Sequence, residues 1–192
     1  MKTLGFPSDQ IETGSWRSSQ HWVSHFNLPE DSSHQLIKPP KVVVHDSTLR
    51  DGEQAPGVSF SLNEKVELAQ MLDKAGVHYI EAGFPPVSKR DADSVGKIAS
   101  MGLNARITCL ARAMERDIDL AADLGVWGAI LEVPVGYPRL KYQFQWEEDE
   151  VLNRTLRALE HAEKRGLNVI LFMIDTARVS GPFLQRFVQR TA

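Results

Sequence analysis

Residues 61–85, "SLNEKVELAQMLDKAGVHYIEAGFP", contain one complete helix-to-strand unit, and the fold can be read outward from it. Ser61 and Glu64 stand at the spacing of a capping box, in which each side chain satisfies a backbone N–H at the start of a helix. Val66, Ala69, Leu72 and Ala75 then recur at helical spacing and place an apolar stripe on one face. Gly76 suits the left-handed residue that closes a helix. "VHYIEAGFP" follows almost without a spacer and reads as a strand.

The same unit recurs along the chain. "KVVVHD" is a strand upstream, and three more helix-to-strand pairs lie downstream: "SKRDADSVGKIASMG" with "LNARITCLA", "MERDIDLAADLG" with "VWGAILEVPV", and "EEDEVLNRTLRALEHAEKRG" with "LNVILFMID". The helices close at Gly76, Gly102, Gly125 and Gly166. Strands are expected near 41–46, 77–82, 104–110, 127–133 and 168–175, with a fifth helix starting near Ser180. No Asn-Gly hairpin turn separates the strands, and they are apolar on both faces. Such strands pair in parallel through helical crossovers, so the class is α/β. No G-x-G-x-x-G follows the first strand, which removes the usual support for a dinucleotide-binding sheet. A barrel of eight such units runs to roughly 250 residues. About five of eight units fit in these 192 residues, which predicts a partial TIM (β/α)8 barrel with unpaired strand edges.

Composition narrows the function classes. The chain is 42% hydrophobic and 24% charged with a net charge of −3, ordinary for a soluble globular protein and without a nucleic-acid footprint. The longest apolar run, "VILFMI", is too short to span a bilayer, and "MKTLGFPSDQ" has no signal-peptide h-region. The lone Cys109 excludes an internal disulfide and predicts a reducing, cytoplasmic setting; its apolar context reads as a buried, inert thiol. Residues 1–40 are Ser- and His-rich, weakly periodic, and end at Pro39 and Pro40, which predicts an N-terminal arm ahead of a barrel domain over 41–192. His21 and His25 have metal-ligand spacing for a helix, but no third ligand accompanies them.

In a (β/α)8 barrel the chemistry sits where strands end and βα loops begin. "VVVHDSTLRDGEQAPGVSF", residues 42–60, crowds polar groups directly behind the first strand. Glu81 ends the second strand, as a site residue or as a satisfied buried carboxylate; Asp175 and Arg178 end the fifth. Asp46 reads either as a loop anchor or as a support for neighbouring site residues. Arg112 and Arg178 read equally as helix-start surface charges and as substrate contacts. Gly52 and Gly57 read as turn-forming positions, and His45 as a packing histidine.

"DSTLRDGEQAPG" together with "YIEAGFP" resembles the DRE-TIM metallolyase, or HMGL-like, family, which includes 2-isopropylmalate, homocitrate and citramalate synthases and hydroxymethylglutaryl-CoA lyase. The resemblance starts near Val42, runs to the end of the chain, and corresponds to the N-terminal part of a pyruvate carboxyltransferase-type catalytic domain. It implies a metal-dependent acyltransferase that condenses acetyl-CoA with a 2-oxo acid. Carried over by position, it implies Asp51 as ligand to a divalent Mg, Mn or Zn ion, and Arg50 as a catalytic and substrate-binding cation facing the substrate carbonyl. Gln54 would bind the oxo acid, and Glu81 would serve the catalytic end of strand 2. A homodimer is implied for the full-length form.

Two departures shape the expectation. The family places an H-x-H pair on a later strand to complete its metal site, and this sequence has no H-x-H. Many members carry Glu-Asp at the end of strand 5, where this chain has Ile174-Asp175; Asp175 is the residue assigned here to substrate binding. The chain is therefore expected to be the incomplete first part of a synthase-like barrel. The alternatives are a lyase running the reverse cleavage, and a non-catalytic or partner-completed half-barrel.

Overall fold

The computed structural model describes residues 41–192. Five strands alternate with five α-helices: β1 (His45–Asp46), α1 (Leu62–Lys74), β2 (Tyr79–Glu81), α2 (Lys89–Ala99), β3 (Arg106–Arg112), α3 (Glu115–Asp123), β4 (Gly128–Pro134), α4 (Glu148–Lys164), β5 (Asn168–Ile174) and α5 (Gly181–Thr191). The strands lie side by side in chain order and every pair is parallel. This unreversed order belongs to a barrel wall; a doubly wound sheet reverses direction at a switch point. The architecture is the α/β half-barrel expected from the repeat. No α-helix among the described residues is long and apolar enough to cross a membrane.

Local chemistry explains the helix boundaries. The Ser61 hydroxyl accepts the Glu64 N–H at 3.3 Å, and the Glu64 carboxylate accepts the Ser61 N–H at 2.7 Å. The closing glycines Gly76, Gly102, Gly125 and Gly166 all sit at positive φ, between 66° and 84°, where a side chain would be strained. Ser180 caps α5 through the Phe183 N–H.

Strand alternation sorts side chains into two layers. Ile80, Ile107, Cys109, Ala111, Ala129 and Leu131 pack into the core beneath the helices. The register aligns Glu81 with Thr108, Leu110 with Ile130, and Arg112 with Glu132, so these residues share the opposite, concave face. Cys109 has no solvent exposure, and its thiol is pushed up to about 12 by burial and then by the nearby carboxylates of Glu81, Asp91 and Asp117. Native protein near neutral pH is expected to resist iodoacetamide and to react fully once unfolded, read as a mass shift. Rapid native labelling would contradict this packing.

Two segments depart from the sequence expectation. The first strand pairs only over His45–Asp46, and Val42, Val43 and Val44 are 72%, 52% and 47% exposed. β2 reaches only this short stretch, and Val44 continues the contact, its carbonyl accepting the His78 and Tyr79 N–H groups and its N–H donating to His78 Nδ1. Between β4 and α4, residues Arg139–Phe144 form a π-helical turn, an element to which no sequence motif is assigned. Buried Leu140 anchors that turn to a second core made by Val133, Val151, Phe183 and Phe187.

Candidate active site

The polar stretch behind β1 folds into a tight turn because one acceptor gathers it. The Ser47 carbonyl accepts the N–H groups of Arg50, Asp51 and Gly52, at 3.1, 2.8 and 3.3 Å. Asp46 braces the start of the turn by accepting the Thr48 N–H at 2.9 Å, the loop-anchor role. Leu49 is fully buried beneath the turn, and its neighbour Arg50 reaches across to the end of β2.

Arg50 meets Glu81 at two points: Nε donates to Oε1 at 2.7 Å and Nη2 to Oε2 at 3.0 Å. Nη1 donates to Asp51 Oδ1 at 2.6 Å. The Glu81 side chain is 2% exposed, that of Arg50 15%, and that of Asp51 63%. Burial works against the guanidinium charge, but the hydrogen bond and charge of Glu81, followed by the charges of Asp51 and Glu132, raise the Arg50 pKa above its ordinary value. Three of the five guanidinium N–H donors are engaged, leaving one on Nη1 and one on Nη2. Arg50, Asp51 and Glu81 are thus brought together. Gln54 lies exposed in the short 3₁₀ turn after Asp51 and lines a recess of about 210 Å³ with Arg50, Gly83 and Phe84.

Asp175 stands elsewhere on the mouth. It ends β5 in the left-handed conformation, φ 65°, and its carboxylate accepts Arg178 Nη1 at 2.8 Å. No hydrogen bond or ion pair joins it to Arg50, Asp51 or Glu81. It lines a cleft of about 500 Å³ with Arg139, Tyr142 and Ile174. Gly136 is packed so closely here that a Cβ would lie 2.3 Å from Asp175 Oδ2 and 2.5 Å from its Cβ. Gly136→Ala is expected to cost about 1–3 kcal/mol through overpacking. Adding Asp175→Gly should recover part of that loss in denaturant unfolding, since it removes the obstructing atoms; equal losses would refute this account.

Several residues that sequence reasoning passed over contribute to the mouth. Glu53, Lys65 and Asp91 form a charge cluster beside Arg50 in which Lys65 is buried and the two carboxylates are partly so. Glu132 lines a cleft of about 540 Å³ with Arg112, Arg139, Trp146 and Ile174, and has no ion-pair partner among the described residues. Its alignment with Arg112 across the strands became visible only in the sheet register. Arg112 grips buried Asp117 at the start of α3, through Nε at 2.7 Å and Nη2 at 2.9 Å, while its half-exposed side chain also lines this cleft. His45 is exposed, yet bonds Thr108 Oγ1 at 3.2 Å and tilts against Tyr79.

The donor set does not by itself fit a divalent ion. Among the described residues no three His, Cys, Asp or Glu side chains converge. Asp51 offers one carboxylate, with one oxygen already held by Arg50. The described histidines are committed elsewhere: His45 to Thr108, His78 to the Val44 N–H, and His161 to Asp119. His21 and His25 lie outside the described residues.

Comparison with known proteins shows the family. The family described as HMGL-like matches residues 41–192. Homocitrate synthase AksA of Methanopyrus kandleri is 46% identical over 158 residues, covering 82% of this chain and 40% of that protein. (R)-citramalate synthase CimA of Methanocaldococcus jannaschii is 43% identical over 143 residues, covering 74% of this chain and 29% of that one. The chain thus spans less than half the length of these curated relatives. Among solved structures, the HMG-CoA lyase of Bacillus subtilis superposes with a TM-score of 0.66 at 18% identity, over 79% of this chain and 54% of that one, a likeness of fold. With the family match running from Lys41 to the last residue, and relatives above 40% identity over most of the chain, the protein belongs to the HMGL-like family.

Proposed function

We propose that this chain supplies the strand-1 and strand-2 part of the active site of a synthase that condenses acetyl-CoA with a 2-oxo acid. The observation that carries the reading is the Arg50–Glu81 fork, a guanidinium fixed at two points on a buried carboxylate, with two N–H donors left over. In such a condensation a base takes a proton from the methyl group of the acetyl thioester. The resulting enolate carbon attacks the keto carbon of the oxo acid, and negative charge grows on the former keto oxygen. Hydrolysis of the thioester then releases CoA thiol. Arg50 would donate its two remaining N–H groups to the keto or carboxylate oxygens of the oxo acid and stabilise the charge that develops there. Donors already fixed in place need no reorganisation as that charge forms.

Glu81 acts through Arg50. Both of its oxygens are occupied and it has almost no exposure, so it is a positioning residue rather than a proton carrier. Gln54, exposed on the neighbouring turn, would hydrogen-bond the oxo acid, and Asp175 with Arg178 would border it from another cleft of the mouth. Asp51 would contribute a single oxygen ligand to a divalent ion, and no step is assigned to that ion because the described residues do not complete its site.

The test is release of free CoA thiol from acetyl-CoA by the chain in its native reading frame, with 2-oxoisovalerate, pyruvate and 2-oxoglutarate in turn. Release that depends on one of these acids is expected. Failure with all three would overturn the synthase reading, and cleavage of a 3-hydroxyacyl-CoA without condensation would replace it with a lyase.

A further inference from the structure

We propose that Lys65 is a positioning residue for the turn that carries Arg50 and Asp51. Lys65 lies in the first turn of α1, yet it is 2% exposed, and its ammonium has left the solvent for two carboxylates. Nζ lies 2.7 Å from Glu53 Oε2 and 2.5 Å from Asp91 Oδ1. The second oxygen of each carboxylate grips a backbone N–H elsewhere: Glu53 Oε1 accepts Phe60 N–H at 2.9 Å, and Asp91 Oδ2 accepts Phe84 N–H. One cation therefore ties together the 3₁₀ turn after Asp51, the segment descending into α1, the tail of β2 and the start of α2.

The two arms of this clamp end on either side of the Arg50–Glu81 fork. Glu53 follows Arg50 by three residues. Asp91 is seated against the backbone of Gly83, two residues beyond Glu81, where an added Cβ would lie 2.7 Å from Oδ2 and 2.8 Å from Oδ1. Only glycine lets the carboxylate approach that closely. A buried ion cluster is a poor source of net stability, because desolvation offsets most of its attraction. Its geometric effect is specific: a single ammonium joins the turn after β1 to the segment that follows β2. Arg90 adds an outer contact, with Nη2 3.3 Å from Ser59 Oγ and 3.7 Å from Glu53 Oε1.

The inference rests on the proposed function only in calling the held turn catalytic; the clamp itself is tested without any turnover. Amide hydrogen exchange is measured on the chain and on Lys65→Met, Lys65→Arg and Asp91→Asn. In Lys65→Met, the amides of Phe60 and Phe84 should lose protection by about tenfold or more through local opening, while β4 and β5 keep theirs. Lys65→Arg should restore part of that protection, because a cation is again present. Asp91→Asn, which also serves if Lys65→Met does not fold, should release Phe84 and spare Phe60. Unchanged exchange at both amides, or a loss spread evenly over β4 and β5, would overturn the clamp. In the CoA-release assay, with enzyme counted as folded protein, Lys65→Met should lower kcat per folded molecule while leaving KM for acetyl-CoA within about twofold, and Lys65→Arg should restore part of it; an unchanged kcat per folded molecule would overturn the positioning role. A wild type that releases no CoA overturns the synthase reading and leaves the exchange result to decide the clamp.

Discussion

Replacing Arg50 with methionine is expected to lower the unfolding free energy by about 3–5 kcal/mol near neutral pH, the usual cost of stranding one member of a buried ion pair. The expected asymmetry follows from exposure. Glu81 is 2% exposed, so without Arg50 it must remain an unpaired buried charge or take up a proton. Glu81→Gln should cost less, because the amide oxygen can still accept from Arg50 and the guanidinium keeps Asp51 as a charged partner. The double replacement, Arg50→Met with Glu81→Gln, should be less destabilised than the sum of the two single changes. The coupling between residues in direct contact is expected to reach about 0.5–3 kcal/mol. Denaturant unfolding of the four proteins at one pH measures this cycle. Strict additivity would mean that the 2.7 and 3.0 Å contacts contribute nothing to stability.

The second large effect falls on chemistry. Arg50→Lys keeps the charge but loses the planar fork, since an ammonium cannot hold both Glu81 oxygens edge-on and still direct two donors outward. The loss in kcat/KM for CoA release is expected to be about 10²–10³, the range for removing a donor aimed at developing charge. The loss should appear mainly in kcat, because the interaction strengthens as charge moves onto the former keto oxygen. Measuring kcat and KM separately in an active form of the enzyme checks this. An effect confined to KM would reassign Arg50 to ground-state binding of the oxo acid.

The motif "DSTLRDGEQAPG" already pointed to Arg50 and Asp51, and "YIEAGFP" to Glu81, so the polar heart of the mouth was legible before any coordinates. What remained hidden was the division of labour. Arg50 and Glu81 are 31 residues apart in sequence, and nothing local states that the carboxylate spends both oxygens on the guanidinium. Lys65 was hidden more deeply. It stands between Glu64 and Val66 on an amphipathic helix and looks like solvated surface, yet it is more buried than Val66 or Leu72, two members of the expected apolar stripe. Its partners Glu53 and Asp91 come from the preceding turn and the following helix, and helical periodicity carries no information about them.

The parts that sequence alone determined are those decided by neighbours along the chain. The Ser61–Glu64 capping box and the positive-φ glycine closures each need only a few consecutive residues, and each stands as expected. Parallel pairing followed as well, because strands separated by helices have no shorter route to one another. Tertiary structure alone decided which charges meet. The short β1, the Arg50–Glu81 fork and the Lys65 clamp depend on how closely the curved sheet brings the ends of β1 and β2 together. At separations of 26 and 31 residues, that spacing is set by packed cores and helices rather than by any local pattern.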